Sequence, residues 1–365
     1  MKASILALAT AVPQFTFTQE EIAEKLAYIF EYNSSKTENL KKLYQNSAIH
    51  TRYSILSDFK KDRADWNFWG SDYPKTIPGM SLRNDTYKEE APKLAYQAAF
   101  KALQDWGGDP SRITHVVSVS CTGVLAPGIE FGLIKKLGLN LSVNRLGINF
   151  MGCFGAFKGL SVAQSFAKEN PEHRILLVCT ELCSLHLQHD QSPDTLLSNS
   201  LFSDGAAAAV IGANPKNNEK VCWEITRQTS LGLENTHEKM SWEAGDHGFH
   251  MKLSHTVPVL LGRCIPSYVS SLLTSEINPA ECDWPIHPGG KSIIQAIEKA
   301  LQLNKTQTLA SWDVLSKYGN MSSSTFLFVL DSLRRQSNKK KWAVGIGFGP
   351  GLSIEGILLH NPEHL

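Results

Sequence analysis

Three residues of this chain stand where chemistry is possible: Cys153, His287 and Asn320. Each lies beside glycine at the end of an apolar run, in Met151-Gly152-Cys153-Phe154, His287-Pro288-Gly289-Gly290 and Tyr318-Gly319-Asn320-Met321. Turns of this kind let a side chain project into a cleft and let backbone approach a substrate closely. A thiol, an imidazole and a carboxamide together make a nucleophilic set. The imidazole can hold the cysteine as thiolate, and imidazole and amide can both donate hydrogen bonds to a developing enolate or oxyanion. Each residue also has a plainer reading, as a small core residue, a structural histidine or a helix-capping asparagine.

The elements that must position these residues follow from the apolar pattern. Residues 147–156 read as strand, tight turn and helix, which puts Cys153 near a first helical turn whose unpaired N–H groups stabilise a thiolate. That helix is expected to run to about Glu169. Upstream, Thr18 and Glu21 form a capping box for a helix through Phe30, and residues 47–86 read as irregular. A second helix is expected from about Tyr87 to Trp106, then a buried strand over 113–120, a helix near 129–137 and buried strands at 174–181 and 206–211. Strands alternating with helices of this length predict α/β layers with largely parallel strands. A polar joint at 214–220 separates residues 1–218 from 219–365, and the second half repeats the style. It has a strand near 222–229, helices near 258–273, 290–302 and 321–335, and final strands flanking Gly347-Phe348-Gly349-Pro350-Gly351.

Composition narrows the function classes. Of 365 residues 42% are apolar and 19% charged, which describes a globular protein with a sizeable core. A net charge of +1 offers no basic field for nucleic acid or an anionic membrane. Seven cysteines without framework spacing, most of them in apolar runs, suggest reduced thiols and a cytoplasmic protein. The run Ile5–Ala9 resembles a secretory segment, but it is short and leads straight into the capped helix, so a first buried strand is expected. No stretch approaches the ~20 apolar residues of a membrane span. Cys179, Cys183, His186 and His189 superficially suggest zinc. Cys179 lies inside an expected strand, which would scatter the four, so no metal is expected.

Gly152-Cys153-Phe154, His287-Pro288-Gly289-Gly290, Tyr318-Gly319-Asn320-Met321-Ser322-Ser323 and Gly347-Phe348-Gly349-Pro350-Gly351 resemble, in order and spacing, the type III polyketide synthases, the chalcone synthase family of the thiolase superfamily. The resemblance spans nearly the whole chain. It implies an α/β fold of the thiolase type, five-layered αβαβα in two similar halves, and a homodimer. It also implies that Cys153 accepts an acyl starter from CoA, while His287 and Asn320 bind malonyl-CoA, promote its decarboxylation and stabilise the enolate for Claisen condensation. CoA thioesters would be substrates, with no resident cofactor. Phe202 matches the family's gatekeeper phenylalanine. The second gatekeeper position falls at Met251, with Phe249 two residues away, and a flexible methionine would make that wall adaptable. Arg52 matches a basic residue near the CoA phosphates, a role that suits a guanidinium; Lys291 is a weaker candidate. Gly289 and Gly290 belong to the substrate-binding turn.

The cavity positions depart from chalcone synthase in one direction. Thr122 and Ala126 stand where plant enzymes carry serine and methionine, and Cys183, two residues after Glu181, replaces a threonine. This trio resembles bacterial relatives that make alkylpyrones or alkylresorcinols from long-chain acyl-CoA. Loss of the methionine opens volume, and each buried CH₂ of a fatty tail is worth ~0.8 kcal/mol. His186 occupies a position that tunes plant specificity, and its ring could shorten one branch of the cavity. Two rivals stand beside this reading. One is a β-ketoacyl synthase III that condenses once, and the other is a catalytically silent thiolase-fold partner subunit.

Overall fold

In the computed structural model, which describes residues 2–363, the chain opens with β1 (Ala3–Ala11) and β2 (Phe15–Thr18). Thr18 then caps α1 (Gln19–Ile29) through the expected reciprocal box with Glu21, at 3.1 and 2.6 Å. An unforeseen α2 (Ser34–Gln45) follows, and β3 (Thr51–Ser54) pairs antiparallel with β2. Next come α3 (Met80–Trp106), β4 (His115–Ser120), α4 (Ile129–Lys136), β5 (Asn144–Asn149), α5 (Gly155–Glu169), β6 (Arg174–Leu182), α6 (Pro193–Leu201) and β7 (Asp204–Ala213). The second half runs β8 (Trp223–Gly232), β9 (Met240–Gly245), β10 (Gly248–Leu253), α7 (Val257–Leu272), β11 (Cys282–Asp283) and α8 (Lys291–Leu301). It ends with α9 (Leu309–Tyr318), α10 (Ser324–Arg334), β12 (Trp342–Gly349) and β13 (Ser353–His360).

Nine strands are hydrogen-bonded in the order β11-β12-β13-β8-β1-β7-β6-β4-β5. The row is two half-sheets sharing one pattern. β1 pairs antiparallel with β7 as β8 does with β13, and β6 pairs parallel with β4 as β12 does with β11. Only Ala3, Ser4 and Ile5, facing Ile225, Glu224 and Trp223, join the halves along the row. The mixed pairing corrects the expectation of largely parallel strands. β12 returns as β13 through the Pro350-Gly351 turn, and β6 reaches β7 without a crossover helix on the sheet, so both pairs run antiparallel.

Alternating side chains sort the layers. On β6, Leu176 and Val178 face α3 on the outside, whereas Ile175, Leu177 and Cys179 face α5 and α10. On β12, Ala343 faces those same two helices while Val344, Ile346 and Phe348 face α7 and α8. The result is helices, half-sheet, central helices, half-sheet, helices: the five layers expected.

Differences from expectation have local causes. α3 starts at Met80, well before Tyr87, because its polar first turn is held by tertiary contacts. Fully buried Arg83 donates from Nε to Pro78 O at 2.8 Å and from Nη1 to Leu185 O. The polar joint is pinned by a buried ion pair, since Arg174 Nε and Nη2 donate to Glu219 at 2.8 and 2.7 Å and Trp106 Nε1 adds a third bond. Burial works against an ionised Glu219, but Arg174 and the other donors hold its carboxyl down to about 2. β12 continues through Gly347 to Gly349, so the glycine motif is mostly strand. A Cβ at Gly347 would lie 2.3 Å from the Phe157 ring of α5. Gly347→Ala should therefore cost ~1–3 kcal/mol by denaturant unfolding. Combined with Phe157→Leu it should cost less than the sum, and strict additivity would refute the contact.

Candidate active site

Cys153 is carried by a backbone that only this turn allows. β5 ends at Asn149, Phe150 and Gly152 take φ of +56° and +68°, and Cys153 sits in a single 3₁₀ turn directly before α5. A Cβ on Gly152 would fall 2.4 Å from the Pro350 ring, so the turn fits against the end of β12 only as glycine.

His287 leaves a single parallel bridge between Ile286 and Ile346. Its N–H donates to Ile346 O at 2.7 Å and its carbonyl accepts from Gly289 at 3.0 Å, which fixes the ring's origin on the C-terminal half-sheet. Asn320 follows Gly319, whose φ is +69°. Its N–H donates to Leu201 O and its carbonyl accepts from Ser203, both at 2.9 Å, so Asn320 and Phe202 are strapped side by side. The Asn320 amide donates to Gly289 O at 3.3 Å, and its Oδ1 accepts from the Ser322 N–H at 2.9 Å. That last bond supports Ser322 at φ +48°, a conformation L residues seldom adopt.

All three side chains line one cavity of ≈ 380 Å³, although Cys153, His287 and Asn320 are 7%, 1% and 2% exposed. Neither ring nitrogen of His287 has a partner among the described residues, and burial lowers its pKa to about 3. Burial likewise pushes the Cys153 thiol up to about 11, with Ser322 and Asn320 pulling the other way. The helix terminus therefore does not make a resting thiolate as expected, because desolvation of the charged form outweighs it. The site holds a thiol and a neutral imidazole, in which one nitrogen carries a hydrogen and the other can accept a proton. One N–H of the Asn320 amide remains for the cavity after the bond to Gly289.

Glu181 does not touch substrate space. It is fully buried behind the wall, accepting from Cys121 N–H at 3.0 Å, Thr122 Oγ1 at 2.8 Å and the Ser323 hydroxyl. Cys121 Sγ links it onward to Ser322 Oγ at 3.2 Å. Burial raises the Glu181 pKa while these donors oppose the rise.

Phe202 and Met251 are the two residues that line both the Cys153 cavity and a second, narrower one. Phe249 lines only the second, which favours Met251 over Phe249 as the second gatekeeper. His186 is locked, its Nε2–H donating to Thr122 O at 2.8 Å and its Nδ1 accepting from Phe249 N–H at 3.1 Å. Trp242, absent from the sequence reading, completes this wall. Its indole N–H donates to Cys121 O at 2.7 Å, and its ring stands 5.6 Å from Phe249 and 6.3 Å from Phe202. The signal for it was the alternating 240–253 hairpin around Gly245 and Gly248, a pattern easily lost among polar residues.

Profiles of the chalcone and stilbene synthases, N-terminal domain and C-terminal domain, match residues 1–215 and 224–362. The chain belongs to this family of type III polyketide synthases. A probable polyketide synthase 1 of Dictyostelium discoideum is 36% identical over 364 residues, and the chain spans 98% of itself but 11% of that relative's length. The C-terminal type III polyketide synthase domain of Steely1, a type I/III hybrid from Dictyostelium, superimposes with a TM-score of 0.91 at 34% identity, covering 99% of each chain. PKS-I from the brown alga Ectocarpus siliculosus gives 0.91 at 30% over 99% and 98%. CsyB complexed with CoA-SH gives 0.88 at 28% over 99% and 100%.

Two expectations for this synthase change. Thr122, Ala126 and Cys183 do not line one channel. Thr122 is spent on Glu181 and on the Leu182 N–H, Ala126 borders a separate polar cavity beside Glu130, and Cys183 alone faces the narrow cavity. Of the zinc-like set, Cys179 faces the central helices while His186 faces that cavity. Among the described residues no group of three such ligands is placed to hold a metal, and no helix is long and apolar enough to cross a membrane.

Arg52 is 5% exposed and braces the gate, while its Nε and Nη2 have no partner among the described residues. Its Nη1 donates to Asn199 O at 2.6 Å and Phe202 O at 2.9 Å, and its plane lies 5.5 Å from the Tyr44 ring. Arg52→Met should lower unfolding free energy by roughly 1.5–3 kcal/mol and leave the calorimetric affinity for free CoA unchanged. A sharp loss of CoA affinity would return Arg52 to the phosphates.

Proposed function

We propose that this synthase loads a fatty acyl group from CoA onto Cys153 and extends it by repeated decarboxylative condensation with malonyl-CoA, closing the product as an alkylpyrone or alkylresorcinol. The observation that carries the reading is the shared cavity of Cys153, His287 and Asn320, with both imidazole nitrogens unpartnered. His287 takes the thiol proton as Cys153 attacks the starter thioester, and CoA leaves as its thiol. Malonyl-CoA then enters with its thioester oxygen against His287 Nε2–H and the Asn320 amide. Loss of CO₂ leaves an enolate on that oxygen, stabilised by the same two donors. The enolate carbon attacks the Cys153 thioester, the new C–C bond replaces the C–S bond, and Cys153 leaves as thiolate with the extended chain on CoA; a further thioester exchange returns that chain to Cys153 and releases CoA.

Lys291, at the first turn of α8 on the rim of this cavity, takes the phosphate role first given to Arg52. The apolar residues beyond Phe202 support a fatty starter over a polar one. Decarboxylation needs the two donors but not the nucleophile. Cys153→Ala should still release CO₂ from malonyl-CoA while forming no condensed product by mass spectrometry, and Asn320→Ala should lose both. Equal retention of product by Cys153→Ala would remove the covalent step.

A homodimer is part of this proposal. β5 is an edge strand, exposed along most of its length, with Leu146 on it and Phe150 and Met151 just after it between 38% and 43% exposed. Such an edge invites pairing with a second copy. Light scattering should give a dimer, and Leu146→Asp should shift it to monomer; a monomeric parent protein would end the idea.

A further inference from the structure

The narrow cavity behind Phe202 and Met251 has a polar corner. Arg52 and Ser198 line it, and both are buried, at 5% and 7% exposed. Arg52 spends only Nη1, on the carbonyls of Asn199 and Phe202 at 2.6 and 2.9 Å. Its Nε and Nη2, and the hydroxyl of Ser198, have no partner among the described residues. Tyr44, whose ring centre lies 5.5 Å from the guanidinium carbon, has a buried hydroxyl without a partner as well. No carboxylate among the described residues is bonded to this guanidinium. Asp204, the acidic group whose charge it feels, has both oxygens committed. Its Oδ1 accepts from the Ser184 N–H at 2.7 Å, and its Oδ2 from the Ile55 N–H at 2.8 Å and the Ser184 hydroxyl at 2.6 Å.

Buried donors without protein partners call for an ordered water or an ion. Charge decides between the two. A water can accept from the guanidinium, yet it leaves a buried positive charge uncompensated, which is costly unless the charge is paired. The Nε–H and Nη2–H groups lie along one edge of the guanidinium, the fork that takes both oxygens of a carboxylate-like anion. The cavity, ≈ 80 Å³, suits a group of a few heavy atoms and has no room for a nucleotide. We propose that Arg52 and Ser198 form a binding site for a small planar monovalent oxyanion, of the class of formate, nitrate or bicarbonate. The two guanidinium N–H groups grip two of its oxygens, and the Ser198 hydroxyl donates to it. The site stands apart from the chemistry at Cys153 but bears on the gate, because the same guanidinium holds Phe202 O through Nη1. An anion that fixes the guanidinium plane also steadies the strap joining Phe202 to Asn320.

The test is thermal melting of the whole chain titrated with sodium formate, nitrate and bicarbonate at fixed pH and ionic strength. Gluconate, too large for the cavity, is the balancing salt, and chloride is a spherical control. Each planar anion should give a saturable rise of about 2 °C at ten times its Kd, with less from chloride and none from gluconate. A crystal structure in nitrate should show a trigonal ion on the Nε–Nη2 edge of Arg52. Ser198→Ala should raise the formate Kd about fivefold, and Arg52→Met should abolish the response. Ser198→Asp places a carboxylate beside the guanidinium. It should melt above the parent in gluconate and no longer respond to formate, which keeps the test decisive if Arg52→Met fails to fold. An equal rise in gluconate is screening and overturns the site, as does water on the Arg52 edge in the nitrate crystal. Nitrate in the crystal without a saturable shift in solution is an adventitious ion only and overturns it too. Loss of the formate response under saturating CoA would make this a CoA-phosphate subsite and end the proposal.

Discussion

The structure depends on how closely β12 can approach the central helices. Gly345, Gly347 and Gly349 alternate along the strand and therefore share one face. Each meets a phenylalanine ring: Phe326 of α10, Phe157 of α5, and Phe154 beside Cys153. A Cβ at any of the three would lie 2.3–2.6 Å from its ring. The opposite face carries Val344, Ile346 and Phe348 into the outer core, so the strand is ordinary on one side and bare on the other. This bare face lets the C-terminal half-sheet settle onto the helix that follows the nucleophile. Phe157 and Phe326 also pack against each other, tilted, with centroids 4.0 Å apart, which joins α5 to α10 beneath it.

That approach delivers the chemistry. Cys153 comes from the N-terminal half, while His287 is bridged to β12 through Ile286 and Ile346. The same strand contacts the Cys153 turn through Gly349 and Pro350. Histidine and cysteine are thus referred to one rigid element, and the distance between them is set by backbone and not by side-chain choice. Asn320 is tied instead to Phe202, through paired backbone bonds that Arg52 supports from the other side. Phe202 and Asn320 share one strap, so a movement of one backbone is felt at the other.

Burial shapes the reactivity of the site. Cys153 and His287 are both held in their neutral forms by desolvation, and among the described residues no charged side chain pairs with His287. A charge that appears during reaction then meets fixed donors in a place with little water, where such bonds are worth most. Glu181 stays outside this space, its oxygens occupied by Cys121, Thr122 and Ser323, and it braces the wall behind the nucleophile.

The amino-acid sequence alone determined the capped first helix, the strand-turn-helix around Cys153, the buried runs of β6 and β7, and the three turn-borne residues that meet in one cavity. Those features are local: apolar period, capping chemistry and glycine at a turn are written within a few residues. The five layers and the family came from motif order, which is also a property of the chain. Only the tertiary structure decided what each side chain touches. Arg52 looked like a phosphate ligand because arginine suits phosphate, yet its partners lie near residue 200 in the chain and take it out of solvent. Thr122, Ala126 and Cys183 looked like one channel, but the first two lie on the turn after β4 and the third on the turn after β6, and Thr122 is drawn away to Glu181 and the Leu182 N–H. Trp242 carried no motif at all, and its role arises from His186, Phe249 and Phe202 meeting it across the fold. Residue type can be read along the chain, whereas solvent exposure and hydrogen-bond partners exist only once distant segments have packed together.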